Sequence, residues 1–156
     1  MTAASTLDEI LVEAIEKEVG SRQLYLSLSQ KMTQQSLREA FQELAQQELG
    51  HQNLLERYLR GELSEGALSH GQIVDYKIAE RSDQPELSVD MNLPDVFLLA
   101  AHREKVAYDF YLSFARAHPE GKVRSLLENL AAQELEHKQR VEFLYTEVVF
   151  PQTDGG

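Results

Sequence analysis

The 156-residue sequence has no cysteine, few prolines and a shortage of positive charge. Without cysteine it can make no disulfide, no thiolate nucleophile, no Cys-ligated zinc site and no iron–sulfur cluster. Any metal ion must therefore sit on oxygen and imidazole nitrogen. Lys and Arg total 15 against 26 Asp and Glu, a formal net charge of −11. That balance argues against nucleic-acid and anionic-membrane partners, which reward clustered cations. The longest apolar run, Val96 to Ala101, is far short of a membrane span. The N-terminus lacks a basic segment followed by an apolar run, so no secretory signal is read and a cytoplasmic location is expected. No Gly-rich phosphate loop and no Ser/His/Asp grouping can be placed.

Four segments have the spacing of long amphipathic helices. In the first, Thr6 followed by Glu9 reads as a capping box. Its stripe runs Leu7, Leu11, Ala14, Glu18, Tyr25, Leu28 and Met32. The second opens near Ser36, with Glu39 three residues on, and carries Leu37, Phe41, Leu44, Glu48, His51, Leu55 and Tyr58. The third starts around Pro94 after Asn92, carries Phe97, Ala100, Glu104, Tyr111 and Phe114, and stops at His118-Pro119. The fourth begins near Pro119 or Glu120 and carries Val123, Leu127, Leu130, Glu134, His137, Val141, Leu144 and Val148. The expectation is one all-α domain over residues 1–156, with helices at about 7–32, 36–59, 94–117 and 120–149. Residues of about 60–93 form a long connection, in which Ile73, Val74, Tyr76 and Ile78 are read as a short helix or extended piece on the bundle. Two antiparallel hairpins joined by one long crossover make a ferritin-like four-helix bundle.

The two halves match at one constant offset. Glu18, Tyr25, Glu48 and His51 recur 86 residues later as Glu104, Tyr111, Glu134 and His137. Tyr25-Leu26-Ser27 recurs as Tyr111-Leu112-Ser113. Ala45, Gln47, Glu48, Leu49 and His51 recur as Ala131, Gln133, Glu134, Leu135 and His137. A single Glu-x-x-His on a wet helix face would be an ordinary surface pair. Here both copies lie on the apolar stripe, and each is preceded by a Glu on the stripe of its partner helix. Four carboxylates and two imidazoles in a bundle core are very costly without a counter-charge. Two divalent cations supply one.

This pattern of Glu-x6-Tyr then Glu-x-x-His, twice over, resembles the ferritin-like superfamily, in particular bacterioferritins and the di-iron domain of rubrerythrins. The resemblance covers residues 7 to 148. It implies that Glu18 with His51 holds one ion, Glu104 with His137 holds the other, and Glu48 and Glu134 bridge the two. It also implies that Tyr25 and Tyr111 lie beside the ions and hydrogen-bond to ligand carboxylates, a spacing that core tyrosines with a satisfied hydroxyl share. The chain departs from the family in places. Ala107 stands where rubrerythrins usually carry a further ligand Glu, and Leu49 stands where bacterioferritins use a methionine for haem, so no haem is expected. With no Cys-rich rubredoxin segment, electrons for peroxide reduction are expected from another protein. His70, His102 and His118 are expected at the surface or in capping roles.

Mixed carboxylate and imidazole ligation suits two iron ions, with manganese or zinc as alternatives. The expected function is a di-iron redox protein reducing hydrogen peroxide or oxygen with oxidation of Fe(II). Iron storage of the ferritin type and non-catalytic dimetal binding are the competing readings. A homodimer or higher homo-oligomer is expected from the resemblance and from the apolar Val148-Val149-Phe150 end.

Overall fold

The computed structural model describes residues 5–74 and 92–150. Four helices dominate: α1 Leu7–Lys31, α2 Gln35–Leu59, α3 Leu93–Arg116 and α4 Lys122–Val149. At 1.5 Å per residue each is about 36–42 Å long. Two short strands, β1 Ser5–Thr6 and β2 Ile73–Val74, pair antiparallel in the register Ser5 to Val74 and Thr6 to Ile73. Ile73 and Val74 are thus extended and lie against the chain just before α1. Tyr76 and Ile78 fall outside the described residues. No helix among the described residues is long and apolar enough to cross a membrane.

The helix ends follow local chemistry in two cases and depart from it in two. Thr6 caps α1 by accepting from the Glu9 amide at 3.2 Å. Asn92 caps α3 by accepting from the Asp95 amide at 3.0 Å, with Pro94 in the first turn where its missing N–H costs nothing. The Ser36/Glu39 pair does not cap α2. That helix begins at Gln35, its cap residue Gln34 makes no side-chain bond, and Ser36 is already helical. α4 starts at Lys122 rather than at Pro119 or Glu120, with Gly121 at its cap. Gly121 lies against Gly66, whose φ of +77° suits glycine.

The stripes converge into two apolar zones. One gathers Leu7, Ile10 and Leu11 of α1, Leu55 and Tyr58 of α2, Phe114 of α3, and Val123 and Leu127 of α4. The other gathers Tyr25 and Leu28, Phe41 and Leu44, Phe97, and Val141. The first zone holds the start of α1 and α4 and the end of α2 and α3. The helices therefore run up, down, down, up, and α2 and α3 are parallel. That order needs one connection to travel the length of the bundle, as in ferritin-like folds. Burying each large apolar side chain contributes about 1.5–3 kcal/mol, and both zones are built of such residues. The layer between them is polar.

Candidate metal centre

Six side chains form that middle layer: Glu18 from α1, Glu48 and His51 from α2, Glu104 from α3, and Glu134 and His137 from α4. Each lies near the middle of its helix, on the stripe that also carries the leucines and phenylalanines. Spacing of three residues puts Glu48 with His51, and Glu134 with His137, on one helical face. All six are at most 4% exposed. Their donor atoms converge in two overlapping groups, each within 4.8 Å: Glu18, Glu48, His51 and Glu134 in one, Glu48, Glu104, Glu134 and His137 in the other. Glu48 and Glu134 belong to both.

The bonding within this layer is incomplete in a way that fits a pair of cations. Glu18 Oε2, Glu48 Oε2, Glu104 Oε2, Glu134 Oε1 and His51 Nδ1 are buried and have no hydrogen-bond partner. His51 Nδ1 lies 2.5 Å from Glu134 Oε1, yet the two are not aligned as a hydrogen bond. His51 Nδ1 is also 3.6 Å from Glu18 Oε2 and 3.9 Å from Glu48 Oε2. In the other half, His137 Nδ1 lies 2.7 Å from Glu48 Oε1 and 3.8 Å from Glu104 Oε2. An orphaned buried carboxylate oxygen costs more than the ordinary hydrogen bond would give. Four such oxygens and one imidazole nitrogen meeting in one layer have the chemistry of a carboxylate and imidazole metal site.

A ring of further residues holds these donors in place. Tyr25 of the first hairpin donates to Glu104 Oε1 of the second at 2.5 Å, and Tyr111 donates to Glu18 Oε1 at 2.5 Å. Each phenol occupies one oxygen of a carboxylate and leaves the other, Oε2, without a partner. The tyrosines are fixed in turn by aromatic packing, Tyr25 against Phe41 and Tyr111 against Phe110. The histidines are held from outside by glutamines. His51 Nε2 lies 2.6 Å from Gln133 Oε1, and His137 Nε2 lies 2.5 Å from Gln47 Oε1. In the neutral ring, an Nε2–H donated to the amide oxygen leaves Nδ1 as the lone-pair atom that faces the layer. Gln47 and Gln133 had no role in the sequence reading, though their signal was present: both recur at the offset of the repeat and directly precede Glu48 and Glu134.

Without cations, protons take up part of the burden. Burial raises Glu48 well above the ordinary carboxylate range, and repulsion from Glu18 and Glu104 adds to it. Glu134 is raised well above it by burial and by Glu18, Glu104 and Glu48. Glu104 is raised by burial, which outweighs the hydrogen bond from Tyr25. Burial opposes ionisation of Glu18 too, but the adjacent Glu48 carboxyl, the His51 imidazole and the Tyr111 hydroxyl outweigh it and its pKa falls. Burial acts against the His51 imidazolium, yet the Glu18 carboxylate beside it prevails and the pKa rises. His137 is lowered to about 4 by burial and by the His51 charge. Both tyrosines are pushed well up, first by burial and then by the carboxylates each one faces, so their hydroxyls stay protonated donors.

The remaining histidines stand apart from this layer. His70 is exposed and lies 2.8 Å from Asp8. His102 is exposed on α3. His118 is buried, not at the surface. Its Nδ1 donates to the Phe114 carbonyl at 2.8 Å, capping the end of α3, and its Nε2 accepts from Tyr58 at 2.7 Å. The Tyr58 oxygen accepts in turn from the Leu68 amide. Burial lowers the His118 pKa, which keeps this neutral arrangement.

Comparison with known proteins agrees with the architecture. A protein from Thermotoga maritima, provisionally described as a ferritin-like diiron-carboxylate protein, superposes with a TM-score of 0.79 at 20% identity, over 95% of this chain and 99% of that one. A hypothetical protein from Pyrococcus furiosus superposes with a TM-score of 0.74 at 25% identity, over 95% and 93%. No curated protein matches. The family profile described as rubrerythrin matches residues 9–145, a span that takes in all six donors. With that match running from the first turn of α1 almost to the end of α4, the chain belongs to the rubrerythrin family and has the ferritin-like fold.

Proposed function

We propose that this chain is a di-iron carboxylate redox protein that reduces hydrogen peroxide or oxygen while oxidising Fe(II). The observation that carries the reading is the pair of overlapping donor groups, buried, sharing Glu48 and Glu134, and left with unsatisfied oxygens that face one another. In this reading Glu18 and His51 serve one ion, Glu104 and His137 the other, and Glu48 and Glu134 both. Four carboxylates in a dry layer favour hard, multiply charged cations, and imidazole admits iron, manganese or zinc. We take iron as the native pair. When bound, two ferrous ions supply two electrons together, which suffices for reduction of peroxide to water with two protons.

The chain's own residues do the rest. Tyr25 and Tyr111 each tie down one oxygen of a terminal carboxylate, so Glu104 and Glu18 present Oε2 in a fixed direction. Gln47 and Gln133 hold the imidazole rings with Nδ1 inward. The raised pKa of both phenols keeps the proton on the tyrosine oxygen at neutral pH. Leucine, phenylalanine and alanine above and below the layer keep out bulk water, which strengthens every electrostatic interaction within it. Electrons to restore the ferrous pair come, in this reading, from a separate donor protein.

Stopped-flow mixing of the di-ferrous protein with hydrogen peroxide tests this. The expected result is rapid oxidation with a stoichiometry of two Fe(II) per peroxide. Absence of reaction with both peroxide and oxygen would remove the proposal.

A further inference from the structure

A cavity of about 70 Å³ opens between α1 and α3, against Glu18 and Tyr111. About 10–15 Å³ of such space holds one water, so this one has room for a small molecule. Its lining includes two basic residues, Lys17 from α1 and Arg103 from α3, with Ser21, the small Ala107 and the apolar Val106 and Phe110 beside them. The Arg103 guanidinium lies over Gly20, where an added Cβ would stand 2.8 Å from its Nη2. The same nitrogen donates to the Lys17 carbonyl at 3.1 Å and to Ser21 Oγ at 3.2 Å. Arg103 Nε is buried and has no partner. The guanidinium is therefore anchored on α1 with donor capacity to spare.

We propose that this cavity binds a small monovalent anion, of the size of formate or azide, between Arg103 and Lys17 and next to Glu18. Two cations facing one small cavity repel each other unless a negative charge stands between or beside them. In the metal-free protein Glu18 is the carboxylate in the cavity wall. Once Glu18 is committed to a cation, its negative charge no longer opposes an anion beside Lys17 and Arg103. Anion and metal binding are then coupled and reinforce each other. An unmetallated Glu18 instead repels the anion. Only this coupling rests on the dimetal reading; the cavity and its cations do not. The site is one-sided. Position 17 corresponds through the repeat to Arg103 itself, Ser21 to Ala107, and Gly20 to Val106, so the flank of Glu104 has no equivalent lining.

The test is calorimetric titration of formate and of azide into metal-free and zinc-loaded protein, in chloride-free buffer at constant ionic strength. Zinc is redox-silent, so binding is read without turnover. The expected result is one anion per chain, at least tenfold tighter in the zinc form. Arg103→Gln should weaken it at least tenfold, and Ala107→Leu should abolish it by filling the space, with both zinc ions retained in each. Circular dichroism checks that the variants fold, and Lys17→Gln provides a second charge variant with little change of volume. Absence of saturable binding to the wild-type chain would overturn the proposal. So would binding that is unchanged in Arg103→Gln and Ala107→Leu, which would put the anion elsewhere. A chain that takes up neither zinc nor ferrous iron would defeat the dimetal reading alone. The metal-free titration would then decide the cavity: weak binding lost in Ala107→Leu supports it, and no binding overturns it.

Discussion

The Glu18/His51 half of the centre and the Glu104/His137 half are built from the same residues at the same spacing, yet they are not electrostatic equals. In each, a histidine turns Nδ1 inward and is held by a glutamine of the opposite hairpin, and each terminal glutamate is held by a tyrosine of the opposite hairpin. In the first half the carboxylate is pulled down and the imidazole up, as in an ion pair. In the second the carboxyl is raised and the imidazole lowered to about 4, as in a neutral pair. A repeat copies ligands, but each ligand's field comes from every helix packed around it. Once one imidazole is charged, its charge disfavours the second, whose ring centre is 5.5 Å away.

The largest break in this comparison comes from the residues the two halves share. Glu48→Ala or Glu134→Ala is expected to take bound metal from two ions per chain to fewer than one. Glu18→Ala or Glu104→Ala should leave about one. Metal analysis of each purified variant decides, and equal losses from all four positions would contradict the sharing.

Removal of metal from both halves comes next. Tight binding to the native state alone, at a free metal concentration of about 1,000 Kd, is worth about 4 kcal/mol. For a chain of this size that corresponds to a fall in melting temperature of about 10 °C on thorough chelation. An unchanged Tm would show that the layer is not organised around cations.

The pH dependence separates the halves further. In the metal-free protein, Glu48, Glu104 and Glu134 are raised, so the native state holds protons that the unfolded chain has already lost. Their contribution is present at acidic pH and is lost as pH rises through their folded values; His51, also raised, acts in the same direction. Glu18 and His137 are lowered and act oppositely, the latter between its ordinary value and about 4. The raised groups outnumber the lowered ones, so the metal-free Tm is expected to fall from about pH 5 to about pH 8. Metal requires deprotonated donors, so the gap between loaded and metal-free Tm should widen over the same range. A gap that stays constant would argue that protons and metal do not compete.

The smallest effects sharpen the comparison. Tyr25→Phe should loosen Glu104, and Tyr111→Phe should loosen Glu18, each lowering metal affinity about tenfold in one half only. Competitive titration with a chelator would read the two steps separately. A uniform loss in both halves from either variant would show that the tyrosines act on packing and not on their carboxylates.

The stripes that buried Leu11, Phe41, Phe114 and Leu127 also carried Glu18, Glu48, Glu104 and Glu134, and helical periodicity alone put these acids indoors. The 86-residue offset paired the helices and picked out the six side chains that converge in the middle layer, because a side chain's face on a helix is set by position along the chain. Helix starts were less legible. Ser36 and Glu39 have the capping pattern, but the helix begins one residue earlier, at Gln35, with no side-chain cap. His118, next to a proline at a helix end, is open in the sequence to a surface or a capping role; it caps α3 while buried, because Tyr58, distant in sequence, donates to its other ring nitrogen.

What the sequence determined by itself is which residues face inward, since that depends on a local period of 3.6 and on nothing further away. Only the tertiary structure decided which atoms meet across helices: Gln133 with His51, Tyr111 with Glu18, Arg103 over Gly20. Those contacts arise from close packing between helices, which no spacing along the chain encodes.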